Sequence, residues 1–97
     1  MTFSESAVRD LEEVRAWYAL RGAPEAGERV AGEVLERAGQ LADFPESGRV
    51  VPEFDALWLR ELIHPPLRIV YRLDDDRVRV VRVWRSERLM GRDQTDV

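Results

Sequence analysis

Between residues 57 and 84 the apolar side chains fall into three runs, at 57–63, 67–73 and 77–84. Only His64-Pro65-Pro66 and Asp74-Asp75-Asp76 separate them. Runs of this length, rich in Val, Ile, Leu and aromatic residues and bounded by turn formers, read as strands. Parallel neighbours need a crossover of about a dozen residues or more, so breaks this short commit the chain to an antiparallel meander. Upstream the period changes. After Ser4, whose hydroxyl can cap a helix, Ala7, Leu11, Val14 and Tyr18 recur at helical spacing, and Val8 broadens the stripe. Gly22 ends this helix. Pro24 opens a second one, predicted to reach about Ala42 with Val30, Val34, Leu35, Ala38, Leu41 and Ala42 on its apolar face. Helices joined this closely must lie antiparallel as a hairpin. Met1-Thr2-Phe3 reads as a short strand, and Val50-Val51-Pro52 as an extended piece leading into the meander. The expected fold is therefore α+β: one domain over residues 1–97, with the hairpin on one face of a three- to four-stranded antiparallel sheet.

Composition narrows the function classes. The chain has no Cys, which excludes disulfides, thiolate metal sites and cysteine nucleophiles. It has neither a charged leader with an apolar stretch of roughly 7–15 residues nor an apolar run approaching 18 residues. No membrane span is expected, and the cytoplasm is the default location. The 15 basic residues are all Arg, against 19 acidic ones, for a formal net charge of -4. They are unevenly spread: residues 1–55 hold six Arg against twelve acids, and residues 56–92 hold nine Arg against five. Arg keeps its charge and grips carboxylates and phosphates with a planar fork, so the second half suits an anionic partner.

Strand alternation places those arginines. In residues 67–73, Ile69, Tyr71 and Leu73 point one way, toward the helices, while Arg68, Val70 and Arg72 point the other. Arg68 and Arg72 are thus expected on an uncovered face, with Trp58 or Trp84 close by. Arg60 shares a face with Trp58 and Leu62 and is expected to pair with a Glu on a neighbouring strand. Val80-Val81 breaks the alternation and hints at a bulge. Gly27, Gly32 and Gly39 lie within the second helix, where each either admits a close neighbour or is tolerated drift. Gly27 and Gly32 also have phosphate-loop spacing, but Glu33 stands where that motif needs Lys, so the motif fails. His64 reads as a surface turn residue, and the aspartate run as a solvated turn rather than a cation site.

The order of these pieces resembles the RelE/ParE superfamily of type II toxin–antitoxin toxins, ParE-like members most closely. Ser4-Glu5-Ser6-Ala7 leads into Asp10-Leu11-Glu12-Glu13-Val14, followed by Leu41-Ala42-Asp43-Phe44-Pro45 with Gly48-Arg49. Then come Leu59-Arg60-Glu61-Leu62, Arg68-Ile69-Val70-Tyr71-Arg72 and Val81-Arg82-Val83-Trp84. The resemblance implies a toxin restrained by an antitoxin encoded beside it, ParD-like, with a ribbon-helix-helix start and a disordered tail that wraps the hairpin and sheet. It implies no cofactor and no metal. ParE-like members poison DNA gyrase, whereas RelE-like members cut mRNA on the ribosome.

RNA cleavage by a 2′-hydroxyl needs a proton acceptor, a proton donor and cations for the phosphorane. By resemblance Arg68 is the phosphate-contacting Arg, and Arg85 and Arg88 close the last strand, where the family has His or a basic equivalent. No Lys is present and no Tyr follows Tyr71, so the base would fall to Glu61 or Glu87. The sequence reading accordingly favours gyrase inhibition without chemistry. The alternatives are a nuclease using Arg68, Arg85, Arg88 and Glu87, and an antitoxin-binding module that has lost toxicity. Partner contacts are expected from Leu11, Val14, Trp17 and Tyr18 on the first helix, and from Arg60, Arg68, Arg72, Trp84 and Arg85 on the sheet.

Overall fold

The computed structural model describes residues 1–75 and 77–85. Strand β1 (Thr2–Phe3) leads through Ser4 into helix α1 (Glu5–Leu20), and the Ser4 side chain accepts a hydrogen bond from the Ala7 amide at 3.0 Å. Helix α2 (Pro24–Gly39) starts on its proline and tightens into a single 3-10 turn, Gln40–Ala42. The strands β2 (Arg49–Val50), β3 (Leu59–His64), β4 (Leu67–Asp74) and β5 (Arg77–Arg85) follow. No helix among the described residues is long and apolar enough to cross a membrane.

The sheet corrects the expectation of three or four antiparallel strands. It has five, in the order β1-β5-β4-β3-β2, and it is mixed, because β1 runs parallel to β5 with Thr2 opposite Arg79 and Phe3 opposite Val80. The two helices together supply the long crossover that a parallel neighbour requires. They carry the chain from β1 to the opposite edge, and the meander β2-β3-β4-β5 then walks back to meet it. The bulge foreseen at Val80-Val81 is present: Val70 lies opposite Arg82 but Tyr71 lies opposite Val80.

Two apolar layers hold the sheet. On the helix side Ala7, Leu11, Val30, Ala31, Val34, Ala38 and Leu41 pack on Leu62, Leu67, Ile69, Tyr71, Val78, Val80 and Val83. Leu35 and Ala42, expected on this stripe, are instead exposed, since the helix turns them away from the sheet. Gly27 lets α2 pack closely on α1: a Cβ there would stand 3.0 Å from Tyr18 Cβ. Gly32 and Gly39 face open space, so the drift reading holds for those two.

The opposite face, expected to be bare, carries a second small core. Val51, Leu59, Val70, Val81 and Trp84 cluster there, with Phe54 and Ala56 packed against them. The segment between β2 and β3 therefore folds back over the sheet, because its scattered apolar residues find partners there.

At the β2 end Tyr71 ties the loops to the core. Its hydroxyl donates to the Pro45 carbonyl at 2.7 Å and accepts from the Gly48 amide at 3.0 Å. Gly48 is obligatory in this contact, since a Cβ would lie 2.6 Å from that hydroxyl. Burial is the main cause that pushes the Tyr71 phenol above its ordinary range, against the opposing pull of the Gly48 amide and Arg60. Folding thus favours the neutral phenol. Its contribution is fully present below the unfolded value, near pH 10, and is lost as pH rises toward the folded value. The chain has no Lys to obscure that window. Denaturant midpoints are expected to fall above about pH 10 in the parent and less so in Tyr71→Phe. Equal falls would refute this.

Candidate functional site

Arg68, expected on a free face, lies on the predicted side of β4 but is only 5% exposed. Its Nε donates to Glu61 Oε1 at 2.7 Å, and Nη1 and Nη2 reach the two Glu53 oxygens at 3.0 and 3.1 Å. Glu61 in turn accepts from Arg49 Nε at 2.7 Å through its other oxygen. Burial lowers the Arg68 pKa, but the hydrogen bonds and charges of Glu53 and Glu61 outweigh it and hold the value raised. Arg68 is a permanent cation clasped by two carboxylates. A phosphate would have to displace them, and Glu61, with both oxygens engaged by guanidiniums, is poorly placed to accept a proton.

Register separates the remaining nuclease candidates. Arg68 lies opposite Trp84, on the far face, whereas Arg85 lies opposite Leu67, on the helix side. Arg68 and Arg85 therefore project from opposite faces, and no shared phosphate cradle forms between them. Glu87 and Arg88 lie outside the described residues.

Arg60 corrects another expectation. It pairs with no Glu on a neighbouring strand; its guanidinium donates to the carbonyls of Leu57 at 3.0 Å and Gly48 at 3.2 Å, bracing the loops around β2. Leu11, expected at a partner surface, is buried in the main core. His64 is no turn residue. It ends β3 and braces it to α2, with Nε2 3.2 Å from Glu33 Oε1 and Nδ1 3.3 Å from an Arg37 nitrogen. Arg72 has its guanidinium 5.0 Å from the Trp58 ring centroid, the arginine–tryptophan proximity expected for the sheet.

Four of the expected partner residues converge. Val14, Trp17, Tyr18 and Arg85 line one groove of about 170 Å³ between the C-terminal half of α1 and the facing ends of β4 and β5. Trp84 also borders it, but it is 3% exposed and packs in the far-face cluster, which corrects its expected place on a partner surface. Sequence reasoning missed Asp10 and Glu13 on α1 and Pro66, Leu67 and Val83 on the sheet side of this lining. The antiparallel register that sets Leu67 against Arg85 was the signal that would have found the sheet-side three. Trp17 packs edge-on against Tyr18, with ring centroids 5.0 Å apart, and the guanidiniums of Arg21 and Arg85 lie over its ring at 3.8 and 4.7 Å. Cation–π contacts hold the half-exposed indole without burying it.

The groove's inner wall is built by Asp10. This 6%-exposed carboxylate accepts from Arg82 Nε at 2.9 Å and Nη2 at 3.1 Å, and from the Val83 amide at 2.9 Å. Beyond the reach of β1, Asp10 and Ser4 thus replace a strand along the β5 edge, Ser4 bonding to the carbonyls of Val80 and Val81. The result is an apolar, arginine-rimmed groove of the kind that takes a side chain of a partner segment.

Comparison with known proteins bears on this geometry. The model of a family described as the ParE toxin of a type II toxin–antitoxin system, parDE, matches residues 1–90. No curated protein matches the chain. Among solved structures, a chain of the chromosomal ParDE toxin–antitoxin system from P. aeruginosa is similar, with a TM-score of 0.74 and 19% identity, covering 89% of this chain and 94% of that one.

Proposed function

The chain belongs to the ParE toxin family of type II toxin–antitoxin systems, and from that premise we propose that it is a gyrase-directed toxin neutralised by a ParD-like antitoxin at the α1–β5 groove. What supports the first half is the closed ion cluster around Arg68. The cation and the base that RNA cleavage would require clasp one another, and Arg85 projects from the other face. Action without chemistry, by binding a protein target, asks for neither. What supports the second half is the groove itself, where an apolar floor and an exposed Trp17 sit under two guanidiniums. Buried Trp and Arg residues dominate protein interfaces. Both events are placed in the cytoplasm, where gyrase and nascent antitoxin are found.

The test has two arms. Purified protein at micromolar concentration is expected to block gyrase supercoiling or trap cleaved DNA, and to leave translated mRNA uncut. Unchanged supercoiling would remove the gyrase reading, and codon-positioned cuts lost in Arg68→Ala would replace it with the nuclease. For the antitoxin, Trp17→Ala is expected to weaken binding by about 2 kcal/mol, roughly 30-fold, by calorimetry. The parent complex should show a heat-capacity decrease matching about 1,000–3,000 Å² buried. Unaltered affinity in Trp17→Ala would move the antitoxin off this groove.

A further inference from the structure

Two loops flank β2 at the edge of the sheet, residues 43–48 before it and residues 51–58 after it, and each presents a large apolar side chain to solvent. Phe44 is 67% exposed and Leu57 is 74% exposed. Neither loop is slack. The Phe44 amide donates to the Gln40 carbonyl at 2.9 Å, and the Phe44 carbonyl accepts from the Ser47 amide at 3.1 Å. The Tyr71 hydroxyl anchors the same turn at Pro45. One guanidinium then joins this turn to the second loop, because Arg60 donates to the Gly48 carbonyl at 3.2 Å and to the Leu57 carbonyl at 3.0 Å. All these bonds hold the loops by their backbones and leave the two side chains outside. Single exposed apolar residues are ordinary, but two on loops that share one clamp ask for a partner.

The charge of the segment says which kind. Residues 43–57 hold four acids against one Arg. Glu53 is engaged by Arg68, and Arg49 by Glu61. Asp43, Glu46 and Asp55 are exposed and form no ion pair among the described residues. The apolar tips therefore carry an unneutralised negative rim.

We infer that Phe44 and Leu57, rimmed by Asp43, Glu46 and Asp55, form the surface by which the toxin docks on its protein target, at a basic patch with pockets for two apolar side chains. The inference rests on the gyrase reading and adds the place of contact, which lies at the β2 edge with β3 and β4 between it and β5. An enzyme that handles DNA must present cationic surface to hold a polyanion, and such surface attracts an acid-rimmed partner. The same rim excludes nucleic acid as the occupant, since its phosphates would meet like charge. The acids steer and orient the encounter, and the two apolar tips anchor it.

The test mixes the full chain with purified gyrase and reads both binding and supercoiling. Phe44→Ser/Leu57→Ser is expected to weaken binding about tenfold or more and to raise the inhibiting concentration in step. Glu46→Gln/Asp55→Asn should bind several-fold more weakly at low salt, with a shallower loss of affinity as salt is added. Asn tolerates the positive φ of Asp55, so charge alone changes there. Leu35→Ser, at a 46%-exposed residue of α2, should act as the parent does. The substituted side chains are exposed, so circular dichroism and urea midpoints should match the parent; if the apolar double variant does not fold, Phe44→Ser and Leu57→Ser singly give the same comparison. Parent-like inhibition by the apolar variants, unaltered salt dependence in Glu46→Gln/Asp55→Asn, or an equal loss in Leu35→Ser would each overturn this surface and leave the gyrase reading standing. A parent chain that neither binds nor inhibits gyrase removes that reading and this partner together.

Discussion

Glu61→Ala is expected to cost about 3–5 kcal/mol, because it leaves Arg68 buried with its Nε no longer held. In a chain of this size that loss lowers the melting midpoint by about 20 °C. The geometry of the cluster says which member matters. Glu61 has a fully buried side chain and Arg68 is 6% exposed at its side chain, whereas Arg49 and Glu53 stand at 61% and 22%. Arg49 and Glu53 can return to water when a partner is removed, so Arg49→Ala should cost under about 1 kcal/mol. The inner pair has no such exit. Replacing both members at once, Glu61→Leu with Arg68→Met, is expected to recover most of the loss, since a buried ion pair repays little beyond its own desolvation. Urea unfolding of the three variants decides the matter. A Glu61→Ala cost below about 1 kcal/mol would mean that water reaches Arg68 and that the cluster is open after all.

Asp10→Ala is expected to be nearly as severe, about 3 kcal/mol or more, for a different reason. The substitution removes the acceptor of the Val83 amide and the two-pronged partner of Arg82, in a place where α1 stands in for a strand. Hydrogen exchange gives a readout that overall stability does not: the Val83 amide should lose protection more than the Ile69 and Leu62 amides at the sheet centre. Asp10→Asn keeps an acceptor oxygen and should retain part of that protection. Uniform loss across all three amides would show that Asp10 contributes only to global stability and does not seal the edge.

The contrast between these two carboxylates shows what could be read from the residues alone. Helix faces, hairpin turns and the alternation of β4 were legible because long periodic stretches encode them locally. The two-residue strands β1 and β2 were not, since a pair of residues has no period, and parallel pairing of Thr2 with Arg79 is fixed by the whole topology. The exposure of Arg68 was misjudged because the far-face cover comes from Val51, Phe54 and Ala56, isolated apolar residues in a segment that reads as a loop. Glu61 was within reach. Alternation from Leu59 sets it on the Arg68 face, and the antiparallel register of β3 and β4 places it one residue pair from Ile63–Arg68 on that face. The groove was half legible: its aromatic and arginine residues were named, but Pro66, Leu67 and Val83 come together only through that register.

The pairing of β1 with β5 also governs when the molecule can exist. Thr2 and Phe3 have no strand partner until Arg79 and Val80 are in place. The hairpin of helices therefore lies over an unfinished platform until β5 has been added. The wait favours late, all-at-once closure over stepwise assembly.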